Sequence, residues 1–233
     1  MFEYPDIDLL HMAQVVEDTR AIERIMGRFT FLNCYRRHTE QFTEWSTNAP
    51  TLTLNNGKYE GYAAVKGFWV DYNNEQTRWA NAVMRSLYPE ELGGKSDEEI
   101  WAVGSNTVLT VSSPLIEVAL DGRTAKGLWH IFGEATEVFS DGPRASWKMG
   151  KCGVDFIRED SVWKIWHMAL FFDIDCPLGG NWGTDEPFVR EGPEAPVPSV
   201  DEAFYQLYGK EYICALVPQL PVPYATFDET FSY

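Results

Sequence analysis

The chain has 233 residues and a formal net charge of −16, with 45% hydrophobic and 15% aromatic residues. That length buries one sizeable core, and so acidic a surface repels phosphate backbones and anionic lipid, which argues against nucleic-acid and membrane partners. Met1–Leu10 shows no basic or apolar leader pattern, and no run is apolar for long enough to span a bilayer. The four cysteines (Cys34, Cys152, Cys176, Cys214) have no finger-like spacing, so a cytoplasmic protein with reduced thiols is expected.

Asp8 to Trp45 carries apolar residues at helical steps, among them Leu9, Ala13, Ile22, Ile25, Met26 and Phe29. Asp18-Thr19 reads as a cap that splits this stretch into two helices. Asn48-Ala49-Pro50 ends it. Thr51–Leu54 and Lys58–Gly61 flank Asn55-Asn56-Gly57, a hairpin signal because Asn and Gly tolerate positive φ. Tyr62–Tyr72 reads as a helix. Residues 73–104 read as a polar, irregular insertion with room for short helices, long enough for a lid or binding loop. From Ser105 the pattern turns to strands: Asn106–Leu120 with a break at Pro114, Thr124–Phe139, Ser146–Arg158 and Val162–Phe172. Tight turns between them predict an antiparallel meander, and helices followed by a meander predict an α+β fold. Asp185–Ser199 reads as a Pro- and Gly-rich linker and Asp201–Leu216 as a short helix. Val217–Tyr233, rich in Pro and aromatics, is expected to pack on the domain or on a neighbouring subunit. The division is thus a domain over 1–175 with an insertion at 73–104, then an extension over 176–233.

Four stretches carry a resemblance. They are Asp18-Thr19-Arg20-Ala21-Ile22 with Ile25, Met26 and Phe29; Asn56 to Val65; Ser113-Pro114-Leu115-Ile116-Glu117-Val118 with Asp121 to Ala125; and Phe156 to Ile165. In this order, across Asp18–Asp173, the chain resembles the SnoaL-like branch of the nuclear transport factor 2 superfamily. The resemblance implies a cone-shaped α+β barrel, N-terminal helices on a curved antiparallel sheet, enclosing a deep cavity. It also implies cofactor-free acid/base chemistry on hydrophobic cyclic molecules. Relatives include scytalone dehydratase, bile acid dehydratase, ketosteroid isomerase and a type that cleaves formaldehyde from lignin-derived diarylpropanes. Dimers or trimers are common among them.

Candidate residues follow from chemistry. His130, in the apolar strand Leu128–Phe132, and His167, on the last strand, titrate near neutrality and suit proton transfer. Tyr59 lies near the place where dehydratases of this fold hold a Tyr against a substrate carbonyl, and a phenol donates well to a developing oxyanion. Asp155 stands mid-strand, facing either the pocket or an outside partner, Arg158 or Lys164. Glu134 shares the face of His130. Arg78 and Trp79 in the insertion suit an anionic group and an aromatic ring. Phe29, Asn33, Tyr35, Trp69, Tyr72 and Phe132 are expected to line the pocket. The chain departs from the dehydratase pattern at Phe29, Asn33, Cys34 and Tyr35, where a Tyr and an acidic residue are usual. It also has Val108-Leu109-Thr110 where a His is usual.

Nucleotide-binding, hydrolase and zinc motifs are absent, and His11, His38, His130 and His167 are not at ligand spacing. No metal and no cofactor are expected. The reading is a cofactor-independent lyase that eliminates water or formaldehyde from an aromatic or polycyclic small molecule. The alternatives are an isomerase or cyclase, a small-molecule-binding protein, and a subunit-interaction module.

Overall fold

The computed structural model describes residues 8–233; Met1–Ile7, part of the stretch read for a leader, lies outside them. One helix, α1 (Leu9–Cys34), replaces the two expected. Asp18 caps nothing. Its carboxylate, 4% exposed, accepts from the Trp163 indole at 3.0 Å and pairs with Arg158. Thr19 Oγ1 turns back to the Val15 carbonyl, so neither side chain is free to end the helix.

After the short α2 (His38–Gln41), β1 (Thr51–Leu54) and β2 (Gly57–Glu60) form the expected hairpin. Then α3 (Tyr62–Lys66), a π-helical Gly67–Tyr72 and α4 (Asn73–Leu87) follow without a break, with α5 (Pro89–Leu92) after them. More than half of the insertion is therefore helix, and α4, at 15 residues, is longer than the short helices expected there. The buried stripe of α4 is Thr77, Ala80, Asn81 and Met84. Two polar residues in a helical stripe conceal its period from a hydrophobicity reading.

The four long strands are β3 (Asn106–Val118), β4 (Thr124–Phe139), β5 (Gly142–Glu159) and β6 (Val162–Pro177). The sheet order is β2-β1-β6-β5-β4-β3. All pairs are antiparallel except β1 with β6, which is parallel. Register shifts fall between Ser112 and Leu115 in β3 and twice in the β5–β6 pair. Such bulges bend and twist a sheet, here around the helices. The concave face packs Trp129, Ile131, Cys152, Val154 and Met168 against Ile22, Met26, Phe29, Trp45 and Trp69. Among the described residues, no helix is long and apolar enough to cross a membrane.

The extension holds no helix over Asp201–Leu216; its one helical turn is Phe227–Glu229. Long-range contacts replace local structure. Tyr205 stacks on Phe171 with ring centroids 5.0 Å apart, and Tyr205 and Tyr212 both donate to Asp173. Phe204, Val217, Phe231 and Tyr233 cluster with Ala169 and Phe171 on the convex face.

Arg36 closes α1 with φ +54°. Its N–H bonds the Asn33 carbonyl at 3.0 Å and the Arg37 N–H bonds that of Leu32 at 2.9 Å, the pattern in which glycine usually takes the left-handed position. An L side chain there costs about 1–2 kcal/mol, against which a glycine loses about 0.5–1 kcal/mol through unfolded-chain entropy. Arg36→Gly is expected to raise stability by roughly 0.5 kcal/mol, read as a higher urea midpoint. A lower midpoint would show that the arginine side chain holds the turn.

Candidate active site

Residues 187–200 form a strap across one end of the helix–sheet sandwich. Ser140 N–H donates to Glu191 Oε2 at 2.7 Å, Gln76 Nε2 to the Pro193 carbonyl at 3.0 Å and Tyr59 Oη to the Pro196 carbonyl at 3.0 Å. Lys58 and Val200 exchange backbone bonds of 2.9 and 3.0 Å. Pro193, Pro196 and Pro198 bring no N–H groups that need partners, so carbonyls alone fasten the middle of the strap. Gly192 (φ +98°) lies against Trp79, where a Cβ would fall 2.7 Å from the indole.

Beside the strap, at the tip of the β1–β2 hairpin, lies a chamber of about 570 Å³. Its apolar wall includes Leu54, Leu170, Phe172, Pro187 and Leu207; Tyr59 and Asp175 are among its polar groups. Leu54, Leu170 and Phe172 also pack on the main core, so the chamber adjoins the concave interior. Tyr59 is held between its bond to the strap and a stack on Phe68 with centroids 4.6 Å apart. Burial, then the nearby Tyr72 and Asp201, raises the Tyr59 pKa, which keeps its phenol a donor.

A charged seam runs from the chamber beneath the strap. Asp175 accepts from Lys148 at 2.5 Å; Lys148 stands 4.0 Å from Glu137, and Glu137 pairs with Arg190 of the strap. The Arg190 guanidinium lies 5.9 Å from the Tyr72 ring centre, and Gln76 donates to the Tyr72 hydroxyl at 3.2 Å. For Glu137, burial opposes ionisation, but Arg190 and Lys148 override it and bring the carboxyl down to about 2. For Arg190, burial acts against the charge and Glu137 reverses it, so the net direction is upward. Burial also dominates Arg36, lowering its pKa. Yet Arg190 keeps 40% of its side chain accessible and Arg36 is half-buried. Charged groups deep in the fold that still touch water line a concavity.

His38 stands at the start of α2. Its Nδ1 is 3.3 Å from Gln41 Oε1, which also accepts from Trp69 Nε1 at 2.7 Å; its Nε2 is buried with no partner among the described residues. Burial, then the Arg36 charge, brings this imidazole from 6.5 down to about 4. The unfolded chain therefore binds the proton at a higher pH than the folded one. Stability is untouched above pH 6.5 and falls as pH drops towards 4, by up to roughly 3 kcal/mol. Glu137, with an unfolded value of 4.5, adds its own slope only from about pH 5 downwards, so the His38 effect is read above that. Acid-unfolding curves of His38→Gln are expected to lose the slope between about pH 6.5 and 5; an unchanged slope there contradicts the assignment.

The sequence-derived candidates separate into three groups. Tyr59 lines the chamber, Tyr72 borders the seam, and Trp79 lines a small void of about 30 Å³ with Arg36, Gln76, Glu137 and Arg190. Arg78 lines a groove on the other side of Arg36. Phe29 and Trp69 stack on each other at 5.2 Å in the closed core, and Asn33 is half-buried at the end of α1. The third group lies away from the concavity. His130 and Phe132 are exposed on the convex face with Glu134, because β4 alternates and Trp129, Ile131 and Ala135 take the inside. Tyr35 is 68% exposed.

His167 and Asp155 are brought together, Nδ1 to Oδ2 at 2.9 Å, but on the convex face. Neither outside partner expected for Asp155 is used: its other oxygen accepts from Lys126 at 2.6 Å, and both of these side chains are fully buried. Phe227, Phe231 and Tyr233 surround the Lys126 ammonium at 4.9, 4.3 and 5.1 Å. Ser232 Oγ completes a set with the composition of a catalytic triad. It meets the same Nδ1 as Asp155, at 2.9 Å, whereas a relay divides carboxylate and hydroxyl between the two ring nitrogens. The Tyr233 N–H also donates to Asp155, at 3.0 Å, so the cluster anchors the extension. Asp175, Lys148, Glu137, Arg190 and Arg36 escaped the sequence reading. Charged residues near strand ends and in a linker read as solvated surface until the strap covers them.

Residues 16–169 match the SnoaL-like domain family. LinA is similar in fold: TM-score 0.51 and 11% identity, covering 78% of this chain and 99% of that one. A hexachlorocyclohexane dehydrochlorinase from Novosphingobium barchaimii gives 0.49 and 14%, covering 77% and 99%. A Mycobacterium tuberculosis protein of unknown function gives 0.46 and 14%, covering 73% and 79%. No curated protein matches. The family match spans most of the chain, and the helices and six-stranded curved sheet are those of its cone-shaped fold: the chain belongs to the SnoaL-like family.

Proposed function

We propose that the protein is a cofactor-independent lyase acting on an aromatic small molecule bound in the chamber beside the strap. One observation carries the reading: a largely apolar chamber of about 570 Å³ whose wall holds both a phenol, Tyr59, and a carboxylate, Asp175. Elimination needs one base, one acid and a site shielded from water. Asp175 accepts the substrate proton. In a dehydration the electron pair left on carbon forms the C=C bond, the C–O bond breaks, and Tyr59 protonates the departing hydroxyl, which leaves as water. In a formaldehyde release Asp175 takes the proton of a primary hydroxyl, its C–O bond becomes C=O, and the C–C bond breaks. Tyr59 then protonates the carbon that keeps the electron pair. Solvent returns the proton from Asp175 to Tyr59 in either case. Lys148 holds the Asp175 carboxylate in place. The family resemblance and the apolar wall make a lignin-derived diarylpropane the specific substrate class of this proposal.

Purified protein is incubated without added cofactor with phenolic diarylpropanes, hydroxysteroids and hydroxylated polyketides, and product masses are read. Loss of formaldehyde or water is the expected result. No mass change together with ligand-induced thermal stabilisation would overturn it in favour of an isomerase or a binding protein.

A further inference from the structure

We propose a second site, a groove of about 400 Å³ at the end of α1 that binds a planar carboxylate through Arg36 and Arg78 with Trp101 as the wall for its ring. It is separate from the chamber that holds Tyr59 and Asp175 and does not rest on the lyase reading.

Four observations converge on it. Arg36 occupies a left-handed position that glycine would take at lower cost, so the turn itself does not call for an arginine. Neither the Arg36 nor the Arg78 guanidinium has an ion pair or hydrogen bond with any described side chain. A half-buried guanidinium with five unused donors is a forked receptor for a carboxylate. The groove's other charges are Arg37 and Glu40, paired with each other, and Glu98, so three cations face two carboxylates; behind the groove Glu137 also acts on Arg36 but is already paired with Arg190. Finally, the walls are fixed. Trp101 donates its indole N–H to the Arg36 carbonyl at 3.2 Å, and Asn74 Nδ2 donates to Thr39 Oγ1 at 3.2 Å. An indole held beside a free guanidinium suits a flat ring bearing a charged group.

Binding of benzoate, benzamide and inorganic phosphate is measured by calorimetry on the full chain. Benzoate is expected to bind at least roughly tenfold more tightly than benzamide or phosphate. Arg36→Gly, which suits the left-handed backbone, and Arg78→Leu are each expected to weaken benzoate by about tenfold or more. Tyr59→Phe and Asp175→Asn are expected to leave it unchanged. Equal binding of benzoate and benzamide, no binding of benzoate, phosphate binding as tight as benzoate, or full affinity in Arg36→Gly would each overturn the site. A loss confined to Tyr59→Phe or Asp175→Asn would place the ligand in the chamber instead and overturn it as well.

Discussion

Asp175→Asn and Tyr59→Phe are each expected to lower kcat on the identified substrate by roughly 10²–10⁴-fold. Asn keeps the size of the carboxylate but cannot take up the substrate proton. Phe keeps the stack on Phe68, at 4.6 Å, and removes the phenol proton, which is donated to the Pro196 carbonyl in the free protein and is proposed to turn to the leaving oxygen when substrate binds. Both are close to isosteric, so the fold is expected to survive. Tyr59→Phe gives up its bond to the Pro196 carbonyl, worth about 1 kcal/mol, and Asp175→Asn leaves Lys148 with Glu137 at 4.0 Å. Thermal midpoints near the parent value, with kcat reduced, would separate chemistry from folding. Turnover within tenfold of the parent in both variants would remove these residues from the mechanism. His130→Gln, on the exposed convex face, serves as the control expected to change nothing.

The largest stability effect is expected at the convex-face anchor. Lys126 and Asp155 are both fully buried and 2.6 Å apart. Burial lowers the Lys126 pKa and Asp155 opposes that shift. Asp155→Ala removes the counter-charge and leaves an ammonium in a dry site, so a loss of about 3–5 kcal/mol is expected in urea unfolding. The same change deprives the Tyr233 N–H and His167 of their acceptor, and limited proteolysis of the extension is expected to quicken. Replacing both partners, Lys126→Met with Asp155→Leu, is expected to restore most of the loss, because two well-packed apolar groups carry no desolvation cost. A single-variant loss below about 1 kcal/mol, or a double variant no better than the single one, would contradict a dry ion pair.

Strong local signals made most of the fold legible. Asn55-Asn56-Gly57 and Asp160-Ser161 mark hairpins that the structure forms; Asp160 and Ser161 adopt positive φ, at +47° and +68°, whereas Asn55, Asn56 and Gly57 turn the chain without it. The break at Pro114 was visible as well; in the structure it is a bulge with Ser113 at φ +53°. What failed is what local pattern does not encode. The parallel β1–β6 pairing joins residues more than a hundred positions apart, such as Thr51 and His167. The length of the helix over Asn73–Leu87 was concealed by Thr77 and Asn81 at its buried positions.

The site was less legible than the fold. Alternation alone cannot say which face of β4 or β5 is concave, so His130 and Asp155 were equally eligible for the pocket until the core packing was known. Tyr59 was singled out through its place after the hairpin, and it lines the chamber. Asp175 was read only as the point where composition shifts, and Arg190 only as a linker charge. The strap, folded back over the sheet, places Asp175 at the chamber wall and Arg190 against Glu137, an outcome fixed by hydrogen bonds between residues far apart in sequence, such as Gln76 with Pro193.

A crystal structure of Asp175→Asn soaked with a phenolic diarylpropane tests directly whether the chamber holds the substrate. The ligand is expected between Leu170, Phe172 and the strap, with one of its oxygens in hydrogen-bonding distance of Tyr59 Oη. A ligand found instead on the convex face beside His130 or His167, with the chamber empty, would contradict it.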